Sequence, residues 1–99
     1  MKKIGEIIAN GETLDVVRTS FPNGAACIVL TDAIGALSAR ISVNVPEVSP
    51  YLSADLFLAK TYSENQLLRA PLLGSGLFTD TGERIDSGFV QLEIWKINF

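Results

Sequence analysis

The residues with the clearest chemical potential form a short acidic segment in the last quarter of the chain. Asp80, Glu83 and Asp86 lie within seven positions, next to Thr79 and Thr81, and their oxygens are of the type that binds hard cations. The spacing is not that of a calcium loop, which needs alternating ligands and a terminal glutamate. We therefore interpret the segment as a solvated acidic turn and predict no metal site.

Composition excludes most nucleophilic chemistry. The chain has 99 residues, no histidine and one cysteine, Cys27, so Ser-His and Cys-His nucleophiles and Cys/His metal clusters are ruled out. Cys27 lies in an apolar run, where a thiol is inert and serves as core packing. Gly74-Ser75-Gly76 lacks the Lys-Ser/Thr of a phosphate loop. The sequence predicts a protein that is not an enzyme and has no cofactor.

Aromatic side chains are the second group of candidates. Trp95 is either a partly exposed interface residue beside Gln91 and Glu93 or, as is common for large aromatics, part of the core. Tyr51, Phe57 and Tyr62 could stack nucleic-acid bases, but no basic groove accompanies them. The predicted partner-binding residues are the acidic and unassigned aromatic ones: Asp80, Glu83, Asp86, Glu64, Tyr51, Trp95 and Phe99.

Turn chemistry divides the first half of the chain into strands. Asn10-Gly11 is a type I′ hairpin signal between predicted strands over residues 3–9 and 12–19. Turns at 21–24 and 32–35 flank an apolar strand over 25–31, which we expect to be buried on both faces. Residues 37–45 alternate apolar and polar side chains, which predicts one strand with a single core face that ends at Pro46.

The second half contains the predicted helix. Residues 47–53 are typical of a loop, and 55–62 fit a short strand or a helical turn, of which we favour the strand. Ser63-Glu64-Asn65-Gln66 spells a capping box, which predicts a helix over about residues 63–73, and Pro71 predicts that this helix ends or kinks near Arg69–Ala70. Residues 79–88 are predicted to be a polar loop before a final strand over 89–97.

These elements predict a single domain over residues 1–99 of the α+β class. We expect a strongly bent antiparallel sheet or small open barrel of five to six strands, covered on one side by one short helix. The longest apolar run, residues 25–30, is too short to cross a bilayer, and Glu6 interrupts any signal-like N-terminus. With a free cysteine, this predicts a protein of the host-cell cytoplasm that does not bind membranes.

The net charge and the low fraction of charged residues limit the kinds of partner that we expect. The formal net charge is −3, and charged residues make up 19% of the chain against 47% hydrophobic ones. A negative protein is a poor ligand for nucleic-acid phosphates, so direct nucleic-acid binding is not expected. The low charged fraction instead predicts more exposed apolar surface than usual.

Several short motifs in the chain resemble one family. They are Ile41-Ser42-Val43-Asn44-Val45-Pro46, Lys60-Thr61-Tyr62-Ser63-Glu64-Asn65, Thr81-Gly82-Glu83-Arg84, and Ser87-Gly88-Phe89-Val90 ahead of Trp95. Residues 24–97 as a whole resemble small uncharacterised proteins carried by phages, plasmids and other mobile elements. The resemblance implies no activity. Small acidic proteins of mobile elements often inhibit host defence, and anti-CRISPR proteins that imitate nucleic-acid charge are among them.

Residues and resemblance together favour a non-catalytic protein-binding module of a mobile element. Its expected role is to inhibit a host defence complex, in the manner of anti-CRISPR proteins, by surface masking or by charge mimicry. Its expected partner is a protein in a host or viral nucleoprotein complex. The alternatives are a self-assembling structural or accessory phage protein, which would form a homo-oligomer, and, less favoured, a binder of single-stranded nucleic acid.

Overall fold

Eight strands form two four-stranded antiparallel sheets in the structure, a computed structural model that describes residues 1–98. The first sheet has the order β1-β2-β3-β4 and the second the order β5-β6-β8-β7. The strands of the first sheet are β1 (Lys2–Ala9), β2 (Glu12–Ser20), β3 (Ala26–Thr31) and β4 (Leu37–Arg40). Those of the second are β5 (Ser42–Val43), β6 (Leu56–Ala59), β7 (Phe78–Ser87) and β8 (Val90–Ile97).

The predicted α+β class is confirmed, but the expectation of five to six strands in a single bent sheet is wrong. One additional strand arises because the predicted strand over residues 37–45 is divided into β4 and β5, and the other is β7, from the segment predicted to be a polar loop. One short helix, α1 (Arg69–Gly74), accompanies the sheets. In the described part of the chain the strands do not close into a barrel, because β1 and β7 are the unpaired ends of their sheets.

Local turn chemistry places the early strands as expected. Asn10 and Gly11 have φ angles of 52° and 75°, as a type I′ hairpin turn requires. The second turn closes when the Gly24 N–H donates to the Phe21 carbonyl at 2.9 Å. In the third turn, the Asp32 side chain accepts from backbone N–H groups. These turns confirm β1, β2 and β3 to within one residue at each end.

The chain changes sheets at Ile41, so the single strand predicted over residues 37–45 is wrong. The Ile41 N–H donates to the Ile28 carbonyl of β3 at 2.9 Å, and its carbonyl accepts from the Lys60 N–H at 2.6 Å. Ile41 is fully buried, whereas Leu37, predicted on the same core face, is 59% exposed. An alternating pattern records which face a residue occupies but not which sheet its backbone joins.

The main core lies between the two sheets. Phe57 packs edge-on against Phe78 and Trp95, with ring centroids 5.4 and 6.0 Å apart. β3 is buried on both faces, as predicted: Ile28 belongs to this core, whereas Cys27 lies in a small cluster on the opposite face of the first sheet. A third cluster on the far side of the second sheet contains Leu58, Leu92 and Ile94 and is covered by apolar residues from the 44–52 loop.

The helical segment is in the predicted place but is built differently. Residues Ser63–Leu68 form a 3-10 helix that leads into α1. Ser63 has a φ of 53°, and its side chain caps nothing, so the predicted capping box is wrong. Pro71 lies in the first turn of α1, where a missing N–H costs no helical hydrogen bond. It therefore lies near the start of the helix and does not end it. α1 packs against β1 and β7, in the gap between the sheets.

The polar loop predicted over residues 79–88 is also wrong, because that segment is most of β7. β7 pairs with β8 from Phe78–Ile97 to Ser87–Val90, with an irregularity between Asp80 and Arg84. The sequence of this segment does not alternate apolar and polar residues, because the strand lies at a sheet edge and much of it is exposed. By contrast, β6 confirms the strand reading of residues 55–62, and the 47–53 loop contains only a 3-10 turn, Ser49–Tyr51.

Candidate partner-binding site

The predicted acidic residues lie along one strand of a long hairpin formed by β7 and β8. Asp80, Glu83 and Asp86 all belong to β7. β6 pairs with β8 only between Glu93 and Lys96, so the distal part of the hairpin extends past β6 as a two-stranded ribbon. The site therefore has a base, where the ribbon joins the sheet, and a free tip.

The base is centred on Glu93, a carboxylate that is 9% exposed. Arg69, from α1, donates its Nε to both carboxylate oxygens at 3.0 and 3.1 Å. The Trp95 indole Nε1 donates to Oε1 at 3.0 Å, and the Thr61 hydroxyl donates to Oε2 at 3.0 Å. Burial by itself would raise the pKa of Glu93, but these donors together hold the pKa below its ordinary value. Glu93 is thus a buried, ionised junction between helix and sheet.

Asp80 joins the same network and is not a free surface charge. Both its carboxylate oxygens accept from Arg84, at 2.8 and 2.9 Å, and Oδ2 also accepts from Arg69 at 2.9 Å. The Arg84 guanidinium is the main reason that the pKa of Asp80 falls to about 2, against an opposing effect of burial. The Gly82 N–H adds a further hydrogen bond to Oδ1. Two arginines therefore balance two carboxylates at the base of the hairpin.

This charge balance determines what chemistry Asp80 and Glu93 can perform. Both carboxylates are held ionised and fully paired, so neither is suited to donate or accept a proton near neutral pH. Among residues 1–98, no group of three or more His, Cys, Asp or Glu side chains is arranged to hold a metal ion. The network stabilises the junction of α1, β7 and β8, and we assign it a structural role.

The tip presents the side chain that the sequence reading missed. Gly88 and Phe89 form a two-residue turn between Ser87 and Val90. Gly88 has a φ of 61° and Phe89 does not share its positive φ, which is the pattern of a type II′ turn. Phe89 is the most exposed large apolar residue described, at 109% of its reference area. The sequence predicts Phe89 in the final strand; the Gly88-Phe89 pair is the hairpin signal, and the polar residues before it do not show the alternation of a strand.

Two exposed acids lie on β7, of which Asp86 is next to the turn and Glu83 is nearer the base. Glu83 and Asp86 are exposed on β7, and Asp86 accepts one long hydrogen bond, 3.3 Å, from Gln91 on β8. The opposite strand therefore contributes a polar group beside the acids. The surface at the tip combines one large apolar side chain with the carboxylate of Asp86, which no arginine neutralises, whereas Glu83 lies beside Arg84 at the base of the hairpin.

The remaining predicted residues are distributed over other parts of the fold. Trp95 is fully buried, which places it in the core and excludes its use as an exposed contact. Tyr51 is 83% exposed on the 3-10 turn Ser49–Tyr51. Glu64 pairs with Lys60 at 2.6 Å. Phe99 lies outside the described residues. The predicted set is therefore one cluster on the hairpin and isolated side chains elsewhere.

Tyr51, Phe57 and Tyr62 do not form an aromatic platform for bases. Phe57 is only 2% exposed and packs in the main core, whereas Tyr51 is on the surface and Tyr62 borders the third cluster. A stacking platform needs exposed rings on one face, and these three rings do not provide one.

Within residues 1–98, no helix is long and apolar enough to cross a membrane. Comparison with models of protein families, with curated proteins and with solved structures found no match to the chain.

Proposed function

We propose that this protein is a non-catalytic protein-binding module of a mobile element that inhibits a host defence complex. The single observation that carries the proposal is Phe89, a fully exposed aromatic at the tip of the β7–β8 hairpin. Large aromatic residues are the side chains that most often dominate binding energy at protein interfaces. The assignment to mobile elements and to defence inhibition is supported by the resemblance of residues 24–97 to small proteins of phages and plasmids.

The base of the hairpin supports a binding role for the tip. The network of Arg69, Asp80, Arg84 and Glu93 joins the ribbon to α1 and to the sheet through hydrogen bonds of 2.8 to 3.1 Å. A ribbon that is ordered before binding loses less conformational entropy when a partner contacts it. The tip is thus a preorganised contact, supported from behind by the ion-pair network.

Charge at the tip favours surface masking over nucleic-acid mimicry. Asp80 is neutralised by arginines and contributes little negative field, which leaves Asp86 as the acidic side chain near Phe89 and Glu83 as an exposed acid nearer the base. A mimic of a nucleic acid needs a dense array of negative charge. An apolar residue with a polar rim is instead the composition of an ordinary protein interface.

The proposal is tested by measuring phage plaquing on bacterial strains that each carry one active defence complex. Expression of the protein should restore plaquing on at least one strain. Phe89→Ser should abolish that effect because it removes the apolar contact. Glu83→Lys with Asp86→Lys should weaken the effect by about tenfold or less if masking operates, since exposed charges at an interface rim contribute little to affinity.

The matched control is Ile34→Ser. Ile34 is 89% exposed in the turn between β3 and β4, so this variant removes a similar apolar area from another part of the surface. It should keep full activity, and both serine variants should unfold at the same temperature as the wild type. Failure of the wild-type protein to protect phage on any strain contradicts the inhibitor proposal. Loss of activity in Ile34→Ser but not in Phe89→Ser contradicts the assignment to the hairpin.

A further inference from the structure

A second candidate site lies where the chain passes from the first sheet to the second. An open hollow of about 370 Å³ lies there, beside the residues on either side of Ile41. Its lining includes two cations, Arg40 and Lys60, and two aromatic rings, Phe21 and Tyr62. The volume is within the range of small-molecule sites. We call this hollow the junction site; it lies apart from the hairpin tip and does not depend on the proposed function.

The junction site is locally positive in a protein whose net charge is −3. No carboxylate is part of its lining. Arg40 forms no ion pair with any carboxylate in residues 1–98 and is exposed at the end of β4. Lys60 pairs with Glu64, which is exposed and lies outside the lining. Arg40 and Lys60 both line this hollow, and a guanidinium with an ammonium favours an anionic group, above all a phosphate.

Aromatic surface accompanies these cations. The Lys60 ammonium lies 5.5 Å from the centroid of the Tyr62 ring, and both Phe21 and Tyr62 are partly exposed. Exposed rings next to cations are the combination that binds a planar aromatic group attached to a phosphate. Asn44 also faces the hollow, and its side-chain oxygen is held by Asn23 at 2.9 Å, which leaves amide hydrogens available to a ligand.

The backbone beneath the two cations is fixed by one buried side chain. Asn65 is 2% exposed, and its amide nitrogen donates to the carbonyls of both Arg40 and Lys60, at 2.9 and 3.1 Å. The Lys60 N–H donates in turn to the Ile41 carbonyl at 2.6 Å. The spacing of the two cationic residues is therefore set by the fold before any ligand arrives, as a preformed site requires.

We propose that the junction site binds a nucleotide, with the phosphate at Arg40 and Lys60 and the base against Tyr62 and Phe21. The same chemistry is offered by a free mononucleotide and by the end of a single strand. A site of this size holds one nucleotide, and the negative net charge of the protein opposes a long track of phosphates. The proposal is binding only and includes no chemical step.

Binding is tested on the full chain by following backbone amide resonances during titration with adenosine monophosphate. The expected result is a dissociation constant of about 1 mM or tighter, with the largest shifts at Asn44, Lys60 and Tyr62. Adenosine and inorganic phosphate, which each carry half of the ligand, should bind at least about tenfold more weakly. Absence of shifts, or shifts centred elsewhere, overturns the proposal.

Variants separate the site from general charge effects. Arg40→Gln should weaken binding about tenfold, which is the usual effect of losing one charge-assisted hydrogen bond, and should stay folded because Arg40 is exposed. Lys96→Gln is the matched control, since it removes an exposed cation from β8, outside the junction site. Equal losses in the two variants would show attraction to net charge only and would overturn the proposal.

Tyr62→Leu removes the ring and keeps an apolar side chain against the third cluster. It should also weaken binding by about tenfold, within the range measured for base stacking on aromatic side chains. Unchanged affinity in this variant overturns the assignment of the base. A short single strand of deoxyadenosines then identifies the source of the ligand: affinity no tighter than that of the mononucleotide indicates a free nucleotide, whereas affinity about tenfold tighter at low salt indicates a strand end.

Discussion

At the scale of single residues, Glu93 and Asp80 matter most because they are negative charges surrounded by fixed donors. Burial opposes the ionisation of Glu93, and a buried carboxylate is tolerated only when it is paired and hydrogen-bonded. Arg69, Trp95 and Thr61 supply those bonds from three separate segments of the chain. The network therefore stabilises one specific arrangement of α1 against the second sheet.

This arrangement predicts an acid-sensitive stability. The folded-state pKa values of Asp80 and Glu93 are below their ordinary values of 3.8 and 4.5, that of Asp80 at about 2. The unfolded chain binds protons first, so the contribution is complete above about pH 5 and is lost as the pH falls toward 2. Thermal unfolding followed from pH 7 to pH 2 should show this decline.

Asp80→Asn isolates the contribution of one carboxylate. It should be less stable than the wild type at pH 7 and should lose stability less steeply below pH 4, because one of the depressed groups is gone. Asp86→Asn, an exposed acid outside the network, is the control and should follow the wild-type curve. Parallel curves for wild type and Asp80→Asn would contradict the structural role of the network.

At the scale of elements, β1 and the segment that precedes β7 approach each other closely at one glycine, Gly5. A Cβ on Gly5, in β1, would lie 2.7 Å from Cδ1 of Leu77, the buried residue that precedes β7. Real Cβ atoms do not approach so closely, so any side chain at Gly5 must displace Leu77. The first strand and the segment after α1 are thus fitted to one another without spare volume.

Gly5→Ala should accordingly lower the free energy of unfolding by about 1 to 3 kcal/mol, as overpacking of a core does. The measurement is urea denaturation. Combining it with Leu77→Ala should cost less than the sum of the two single changes, because the smaller side chain makes room for the new methyl group. Gly74→Ala is the control: nothing lies within 4 Å of its added Cβ, so stability should not fall. Additive losses would contradict the contact.

At the scale of the whole molecule, β1 is one of the edge strands through which copies could pair. The strand carries Lys2, Lys3 and Glu6 and has a register irregularity between Lys3 and Gly5. Charges and bulges on an edge strand are features that oppose pairing with another chain. α1 also packs against β1. These features weigh against the alternative of a self-assembling structural protein.

The chain should therefore be a monomer, with a solution mass near 10.7 kDa. Light scattering on chromatographed protein checks this, from micromolar to about millimolar concentration, the range in which weak self-association becomes visible. Dimers that persist on dilution would favour the assembly alternative. Replacing Lys3 with valine should then strengthen such dimers, because it removes a charge that blunts the edge.

Local signals predicted those parts of the fold that are set within a few residues. The hairpin at Asn10-Gly11 and the turns at residues 21–24 and 32–35 follow from the backbone preferences of their own residues. The apolar run of β3 was correctly expected to be buried on both faces. In the candidate site, the acidic residues could be predicted from the sequence because three acids occur close together. The exposure of Phe89 could not, since the exposure of an apolar side chain depends on the fold and not on the residue type.

By itself, the sequence determined the α+β class, most strand positions and the absence of histidine chemistry, because turns, periodicity and composition act locally. Only the tertiary structure decided that residues 78–87 form a strand, that Ile41 joins two sheets and that Trp95 is buried. The strand over residues 78–87 depends on its pairing with β8. Ile41 and Trp95 depend on partners far along the chain, since Ile41 bonds to the backbone of Ile28 and Lys60 and Trp95 packs against Phe57. The apolar surface implied by the low charged fraction is thereby located, on the hairpin at Phe89 and at a few isolated side chains.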